Sequence, residues 1–318
     1  MLDAEIQVYM LRSLTTGRGE NLLTEDNAPE RIWQGNNSRG SDGELDVARL
    51  AVVVAHAGEL CDYLSLPFFT LPMRIFRRLH YWWSLFVAGA LLLIFGPPVL
   101  LFAWLTRNHE LVYPWALFGA RNWLRLSGVK VQVTGSELLD PAQVYVFISN
   151  HRSYLDTATL FVYTGRRLGL LAKKELLNVP ILGVGMGFVN VMAIDRSNSE
   201  RARATVEAAT ARIRSGRSFG VFAEGTRARP GEFLRFKKGA FYMAAQAGVS
   251  IVPVAIKNSD FLMGKGTGEA RAGTIEMVML PPIPTAGCTT DEAVTKLVDR
   301  VHVIVGQELN AGAISQPR

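Results

Sequence analysis

The alternation of hydrophobic and polar residues divides the chain into three parts. Residues 1–48 hold few apolar side chains among many glycine, asparagine, serine and acidic residues, so burial cannot offset the entropy of ordering this stretch. The run from 81 to 105 contains no charged residue. Beyond it, short β-branched segments alternate with longer amphipathic ones. We therefore expect a poorly structured extension over 1–72, a membrane-associated helical segment over 73–127 and a folded domain over 128–318.

The uncharged run has the composition of a membrane segment. As one helix, residues 81–105 would extend about 37 Å, enough to cross the hydrocarbon core of a bilayer. Tryptophans lie near both ends of the run and arginines flank it, as is typical of membrane interfaces. The Gly-Pro-Pro sequence at 96–98 should kink or break the helix. A straight span, a bent helix and a hairpin that enters one leaflet all remain open, and a cleaved signal peptide fits less well.

A second helix is expected after the apolar run. The sequence PWALFGARNWLRLSG starts at Pro114, a residue favoured at helix starts, and ends at Gly128. Its large apolar side chains accompany Arg121 and Arg125, which suits a helix lying at a membrane interface. An ordinary amphipathic helix packed on the domain would show the same pattern.

The third part of the chain is predicted to be an α/β domain. Seven apolar, β-branched segments are typical of buried strands. They are 129–133, 144–149, 168–173, 188–194, 219–223, 251–256 and 274–280. The clearest helices are 197–216, with Ser197 or Ser199 as N-cap and Gly216 just after its end, and 290–309. This alternation predicts a mixed, mainly parallel sheet flanked by helices.

Charge and cysteine content narrow the classes of function. The net charge of +6 divides into −6 for residues 1–72 and +12 for the remainder, and a basic body suits anionic partners such as phospholipid headgroups or a phosphorylated substrate. No basic run is interleaved with aromatic residues in the soluble part, so we expect no nucleic acid partner. Cys61 and Cys288 match no metal or disulfide spacing, and no phosphate-binding glycine motif occurs. We therefore expect no metal and no nucleotide cofactor.

One of the five histidines is a candidate for catalysis. Only His151 lies where a predicted strand gives way to a helix, which is where open α/β sheets bind ligands. On one continuous helix His151 and Asp156 would point about 140° apart, so they can meet only if His151 precedes the helix and Asp156 lies in its first turn. Ser153 is a suitable N-cap three residues before Asp156. Taken alone, this spacing favours a plain capping box over a catalytic pair.

Further segments change that interpretation. In chain order they are NHRSYLD (150–156), AKKEL (172–176), AIDR (193–196), EGTR (224–227), FKKGAF (236–241) and VPV (252–254). In this order and spacing they resemble the glycerolipid acyltransferase family, which includes the lysophosphatidate acyltransferases and glycerol-3-phosphate acyltransferases. The resemblance covers roughly residues 73–310.

The resemblance implies roles for the first motif. His151 would be the general base that removes the proton from the acceptor hydroxyl, for which an imidazole pKa of about 6.5 is suited. Asp156 would orient the imidazole and stabilise its charged form. The hydroxyl would then attack the acyl thioester directly. No enzyme nucleophile is required, and Ser153 is better explained as a helix cap.

The other motifs carry candidate substrate-binding residues. Lys173, Arg196 and Arg227 follow predicted parallel strands, whose ends meet at one edge of a sheet, so these cations could form one phosphate pocket. A solvated surface position would explain each of them as well, and we favour it for one of the pair Lys173 and Lys174.

The resemblance assigns more specific roles within EGTR. Glu224 would contact a glycerol hydroxyl and Arg227 the phosphate. Gly225 would let the backbone approach the substrate closely, and Thr226 completes the segment. The chain departs from the family pattern at Ala223, where proline is frequent, at Ala193 and at Ala228. These changes leave the charged positions intact.

The activity implied by the resemblance is transfer of a fatty acyl group to 1-acyl-glycerol-3-phosphate (lysophosphatidate), giving phosphatidate for phospholipid synthesis. Acyl-CoA or acyl-carrier protein would be the donor, with no cofactor. The same chemistry on glycerol-3-phosphate or a lyso-aminolipid, a thioester hydrolase and a non-catalytic lipid-binding protein are the alternatives. We expect a phospholipid membrane as partner, with the catalytic domain on the cytoplasmic side of the inner (plasma) membrane.

The start of the chain carries one more expectation. Residues 1–72 have no counterpart in compact bacterial members of the family. Met73 is followed by a basic stretch and the apolar run, which resembles a natural family N-terminus. We therefore expect residues 1–72 to be dispensable for catalysis.

Overall fold

A computed structural model describes residues 67–195 and 197–311. Residues 1–66 of the extension predicted over 1–72 lie outside the described residues. The predicted domain boundaries remain predictions. The described residues form a seven-stranded sheet with helices on both faces, preceded by a long helix and a shorter one.

The helices and strands have the following bounds. The α-helices are α1 (Pro67–Thr106), α2 (Val112–Leu126), α3 (Leu155–Tyr163), α4 (Leu182–Phe188), α5 (Ser199–Arg214), α6 (Gly239–Ala247), α7 (Ser259–Met263) and α8 (Asp291–Asn310). The strands are β1 (Val129–Thr134), β2 (Tyr145–Ser149), β3 (Leu168–Lys173), β4 (Val191–Ile194), β5 (Ser218–Phe222), β6 (Ser250–Lys257) and β7 (Gly273–Met279). All seven predicted strands are therefore present.

The sheet confirms the predicted fold class. Its strand order is β1-β7-β6-β2-β5-β3-β4, and every pair is parallel except β6 with β7. The largest boundary error is at β4, which was predicted to begin at residue 188 and begins at Val191. Phe188 instead ends α4, and Asn190 reverses the chain with a left-handed φ of 64°, a conformation that asparagine tolerates better than most residues.

Two hydrophobic cores lie on opposite faces of the sheet. In β2, Tyr145 and Phe147 join the core under α2 and α3, whereas Val146 and Ile148 join the core under α5, α6 and α8. This follows from the two-residue period of a strand. Because both faces are covered, β2 is apolar without alternation, as its sequence predicted.

Of the kink or break predicted at Gly-Pro-Pro 96–98, the break is wrong, and the kink stays a prediction. Helix α1 runs unbroken for 40 residues, so the hairpin within the run is excluded. A proline removes one helical hydrogen bond, but packing holds this stretch in place: Phe95 stacks on Trp115 at 5.9 Å and meets Phe118 edge-on at 5.4 Å. The chain reverses only at Arg107, where φ is 53°, and α2 returns along α1.

Helix α2 begins at Val112, two residues before the predicted start, and Gly128 follows its end with a φ of 68°. A polar seam joins it to α1. The Trp123 indole donates to the Ser84 carbonyl at 2.9 Å, and the Ser84 and Ser127 hydroxyls lie 2.8 Å apart. The seam holds α2 between α1 and the catalytic domain.

One face of α1 is apolar and exposed. Its large side chains recur every three or four residues, the spacing of a single helix face. They are Ile75, Phe76, Leu79, Trp82, Trp83, Phe86, Leu93, Ile94, Leu101, Phe102, Trp104 and Leu105. Among the described residues, the stretch Met73–Thr106 is long and apolar enough to cross a membrane.

Helix α5 corrects one predicted cap. Its N-cap is Asn198, whose side chain accepts the Arg201 amide at 3.0 Å. Ser197 instead donates its hydroxyl to Asp195 at 2.6 Å, so neither predicted serine caps the helix. Gly216 does follow the end of α5, with a φ of 93°.

Candidate active site

Two neighbouring strands bring the NHRSYLD and EGTR segments together. Strands β2 and β5 pair in parallel with Ser149 opposite Phe222, so the residues that follow each strand leave the same edge side by side. Asn150 is fully buried and clamps this edge to β6: its amide group donates to the Ile256 carbonyl at 2.9 Å and its oxygen accepts the Ile256 amide at 2.8 Å. The backbone that carries His151 is therefore held on both sides.

His151 and Asp156 form the predicted pair. His151 Nδ1 lies 2.9 Å from Asp156 Oδ2. The Asp156 side chain is fully buried and that of His151 is 16% exposed. Because a carboxylate only accepts, Nδ1 carries the proton in this pair, and Nε2 of the neutral ring keeps a free lone pair.

The Asp156 carboxylate also fixes the backbone that leads into α3. Its Oδ2 accepts the backbone amides of Arg152 and Ser153, each at 2.7 Å. One oxygen thus holds both this segment and the imidazole, whereas the side chain of Tyr154, the N-cap of α3, makes no capping hydrogen bond.

The prediction that Ser153 is the N-cap is wrong, because Tyr154 occupies that position. The Ser153 hydroxyl donates to the Met263 carbonyl at 2.7 Å and accepts the Leu155 amide at 3.2 Å. It is also fully buried. Ser153 is therefore engaged in structure and is unsuited to act as a nucleophile.

The His151 ring is further fixed by an aromatic contact that sequence reasoning missed. Phe222 stacks on it, with ring centroids 4.0 Å apart and planes 17° from parallel. Phe222 is the last residue of β5, directly before the EGTR segment. Its position at a strand end was visible in the sequence, but its pairing with His151 depends on strand order.

Glu224 is nearly inaccessible, at 2% exposed. Its Oε1 accepts the His151 backbone amide at 2.9 Å, and its Oε2 accepts the Leu234 amide at 3.3 Å. Burial raises the pKa of Glu224 to about 7, although both amides act to lower it. This carboxyl group therefore joins the two motifs and titrates near neutral pH.

The glycine of EGTR lies under a lysine. Gly225 has a φ of 73°, which favours glycine, and a Cβ added there would stand 2.9 Å from Cδ and Cε of Lys237. The Lys237 amide donates to the Ala223 carbonyl at 2.8 Å, which closes the loop between β5 and α6. Lys237 is exposed, and no sequence pattern distinguished it from the neighbouring Lys238.

Arg227 lies at the same edge. Its guanidinium stands 3.5 Å from the centre of the Tyr154 ring, one residue before α3, and Thr226 between Gly225 and Arg227 is exposed. The EGTR segment thus lies beside the NHRSYLD segment.

The remaining predicted cations lie farther along the sheet. Lys173 is exposed and pairs with Glu175 at 3.3 Å, and Lys174 pairs with Asp195 at 2.9 Å. The Ser197 hydroxyl, and then Lys174, hold the pKa of the Asp195 carboxyl well below its usual range. Strands β3 and β4 are two and three positions from β2, or roughly 10 and 14 Å at ordinary strand spacing. Arg196 lies outside the described residues.

Comparison with known proteins shows which family the sheet domain resembles. Residues 130–257, from β1 to the end of β6, match the family model described as Acyltransferase. These residues are therefore similar to the acyltransferase family. The resemblance found in the sequence motifs is thereby confirmed.

Curated relatives of the acyltransferase domain include two lysophosphatidate enzymes by name. The 1-acyl-sn-glycerol-3-phosphate acyltransferase alpha of Homo sapiens is 36% identical over 178 residues, which cover 56% of this chain and 62% of the relative. The 1-acyl-sn-glycerol-3-phosphate acyltransferase of Borreliella burgdorferi is 36% identical over 138 residues, covering 43% and 55%. The chain thus spans less than two thirds of the length of either relative.

A solved structure confirms the fold. The crystal structure of the 1-acyl-sn-glycerophosphate (LPA) acyltransferase PlsC from Thermotoga maritima superposes with a TM-score of 0.65 at 23% identity. The match covers 77% of this chain and 99% of that chain. The fold of this chain is therefore one already known from a solved structure.

A polar scaffold outside the predicted motifs holds the acyltransferase site together. Arg152 donates to the Glu232 carbonyl at 2.7 Å and pairs with Asp260 at 3.4 Å, and Asp260 accepts the Gly231 amide at 3.0 Å. Arg152 stands inside NHRSYLD, but its partners lie 80 and 108 residues away, so no local pattern could identify them.

Lys265 ties the two motifs of the acyltransferase domain a second time. Its backbone amide donates to the Arg152 carbonyl at 3.2 Å, and its ammonium donates to the Arg227 carbonyl. Lys265, in the segment after α7, thus links the backbone next to His151 to the backbone of the EGTR segment. The site is preorganised, and the described residues offer His151 Nε2 no hydrogen bond.

Proposed function

We propose that this protein transfers a fatty acyl group from an acyl thioester to the free hydroxyl of 1-acyl-glycerol-3-phosphate, giving phosphatidate. The observation that carries the proposal is the His151–Asp156 contact of 2.9 Å at the sheet edge, inside a domain of the acyltransferase family. The names of the relatives support lysophosphatidate as the acceptor. The donor is acyl-CoA or acyl-carrier protein.

In this proposal His151 acts as general base. Its Nε2 takes the proton from the acceptor hydroxyl as the hydroxyl oxygen attacks the thioester carbonyl. Buried Asp156 stabilises the imidazolium that forms. Collapse of the tetrahedral intermediate forms the new ester and breaks the carbon–sulfur bond. The imidazolium returns the proton to the departing thiolate, and no acyl-enzyme forms.

The acceptor phosphate binds beside EGTR. Arg227 and Lys237 both reach this loop, and neither forms an ion pair with another described residue. Arginine and lysine are the side chains suited to phosphate, and the exposed Thr226 adds a hydroxyl donor. Glu224 shapes the loop for this purpose through the amides of His151 and Leu234.

The contributions of Lys173 and Arg196 to phosphate binding stay predictions. Lys173 already has a carboxylate partner in Glu175, which competes with a phosphate. Arg227 and Lys237 are therefore the stronger candidates at the β2–β5 edge.

The geometry of α1 supports attachment to one leaflet. The Ala270 amide donates to the Arg77 carbonyl at 2.9 Å, Ser84 meets Ser127, and a Cβ at Gly96 would collide with Ile181. These contacts span 19 residues, or about 29 Å of helix, so α1 lies along the domain with its apolar face outward. Such a face suits burial in the membrane interface. We place the domain on the cytoplasmic side of the inner membrane, where both donors are found.

The deciding experiment is a transfer assay with the full-length protein. Labelled acyl-CoA or acyl-carrier protein is offered with lysophosphatidate, glycerol-3-phosphate, a lyso-aminolipid or no acceptor. We expect labelled phosphatidate with lysophosphatidate and little thioester loss without an acceptor. A loss of thioester that is the same with and without an acceptor would identify a hydrolase. If no thioester is consumed in any reaction, the protein is a lipid-binding protein without catalytic activity.

A further inference from the structure

The segment between β3 and β4 has an apolar surface that the acyl-transfer mechanism does not use. Residues 176–194 contain no charged side chain. Leu176, Leu177, Val179 and Val184 are exposed, Leu177 by 52% and Val184 by 64%. We call these four residues the β3–β4 patch. Large apolar side chains so close together on a surface mark a site of interaction.

The β3–β4 patch adjoins the exposed face of α1. Ile181 lies between the patch residues in sequence and reaches α1 at Gly96, where an added Cβ would stand 2.4 Å from Ile181 Cγ2. Leu93, about one turn before Gly96, is 64% exposed. The two apolar surfaces are therefore continuous across the Gly96–Ile181 contact.

The backbone at this contact is strained, which shows that the patch is held in place. Ile181 has φ 66° and ψ −52°, and the Leu182 amide donates to the Pro180 carbonyl at 2.6 Å. This is a γ-turn of the rare left-handed kind, unfavourable for a β-branched residue. Such a conformation persists only where surrounding contacts enforce it. Here the fit of Ile181 against Gly96 does so, and the buried Met186 anchors α4 below it.

We propose that the β3–β4 patch is a second membrane contact, inserted into the same leaflet as α1. This inference rests on the membrane attachment argued above. One helix lying in an interface leaves the domain free to roll about the helix axis, and a second contact beside it removes that freedom. The patch follows the carboxyl end of β3, which neighbours β5, and Glu224 lies two residues after the end of β5. Inserting it turns the catalytic edge towards the bilayer that holds the lipid acceptor.

The test measures the depth of single sites in a bilayer. In full-length protein with Cys61→Ser and Cys288→Ser, one of Leu177→Cys, Val184→Cys, Leu93→Cys or Val303→Cys is labelled with an environment-sensitive fluorophore. Leu93 on α1 is the positive control. Val303 on α8, with 53% exposure, is the matched negative control. The protein is bound to vesicles of phosphatidylethanolamine and phosphatidylglycerol, with or without a spin-labelled acyl chain that quenches fluorescence.

We expect the spin-labelled lipid to quench the labels at 177 and 184 at least about fivefold more than the label at 303, since an inserted side chain sits among the acyl chains. Quenching at 177 and 184 no stronger than at 303 overturns the inference. So does a blue shift without lipid quenching that grows with protein density, which indicates a second copy on the patch. Loss of quenching at 93 as well refutes attachment through α1. No turnover is measured, so a failure here is separate from a failure of acyl transfer.

Discussion

The acidic side chains at the β2–β5 edge are buried, whereas the lysines at the β3–β4 edge of the same sheet lie near the surface. At the β2–β5 edge, the carboxylates of Asp156 and Glu224 are buried. Glu224 accepts a hydrogen bond from a backbone amide, and Asp156 accepts one from the His151 ring. At the β3–β4 edge, Lys173 and Lys174 are satisfied by neighbouring carboxylates near the surface. Both edges looked equivalent in sequence, since each is a strand followed by charged residues. Burial separates them: hydrogen bonds to a buried charge are strong, whereas exposed ion pairs contribute little.

The largest expected effect is at His151. His151→Gln keeps much of the side-chain volume against Phe222 but cannot act as a base at neutral pH. We expect kcat to fall about 10²–10⁴-fold, measured as phosphatidate formed at saturating lysophosphatidate. His151→Ala should give the same loss. Activity close to wild type in either folded variant would contradict the mechanism.

Asp156→Asn tests the buried acid with little change of shape. The asparagine oxygen can still accept the amides of Arg152 and Ser153, so we expect the unfolding temperature to stay near that of wild type. Loss of the charge that stabilises the imidazolium should lower kcat about 10²-fold. Wild-type turnover by the folded variant would reduce Asp156 to a helix cap.

Glu224 predicts a pH dependence of stability. Its pKa of about 7 lies above the ordinary 4.5, so the folded protein keeps a proton that the unfolded chain releases. This contribution is fully present below pH 4.5 and is lost as pH rises through about 7, an effect of about 3 kcal/mol. Thermal unfolding of Glu224→Gln should depend less on pH in this window. The exposed Glu292→Gln is the control, and an identical slope in all three proteins would argue against a shifted pKa.

Adjacent lysines offer a matched pair at the phosphate site. Lys238 is held by Asp291 at 2.9 Å, whereas Lys237 lies over Gly225 without an ion pair to any described residue. We expect Lys237→Gln to raise KM for lysophosphatidate about five- to tenfold with little change in kcat, as for an interaction equal in ground and transition states. Lys238→Gln should leave the KM for lysophosphatidate unchanged. Neither substitution should change the KM for monoacylglycerol, an acceptor without a phosphate. Equal effects of the two substitutions would remove Lys237 from the site.

The smallest effect is expected at the β3–β4 edge. Lys173→Ala removes an exposed ion pair with Glu175, and such pairs contribute about 0–1 kcal/mol. We therefore expect KM for lysophosphatidate to change less than about threefold. A rise as large as the five- to tenfold rise expected for Lys237→Gln would restore Lys173 as a phosphate ligand.

The sequence predicted what depends on local pattern. All seven strands and the mainly parallel sheet follow from strand-like segments. The contact between His151 and Asp156 was expected only through the family resemblance, because the local spacing alone favoured a capping box. The errors arose where tertiary packing overrides a local rule. Helix α1 continues through Gly-Pro-Pro because α2 and Ile181 hold it. Asn198, and neither of the two predicted serines, is the N-cap of α5, and the Ser197 hydroxyl instead donates to Asp195.

The supporting contacts of the site could not be predicted in the same way. Phe222 reaches His151 only because β2 and β5 are neighbours, and Arg152 meets Asp260 across 108 residues of chain. Lys237 and Lys238 are equivalent in sequence until α8 supplies Asp291 to one of them. Motifs identify the groups that react, and the sheet order decides which other groups surround them.

The Asn150 clamp has a consequence for the order in which the protein is made. Asn150 bonds to Ile256, 106 residues later, and Ser153 to Met263, 110 residues later. Contacts this distant form slowly and only after both segments have left the ribosome. Helix α1 is synthesised well before either segment. The long apolar helix is therefore synthesised while the edge that carries His151 is still incomplete, and the contacts that hold this edge form last.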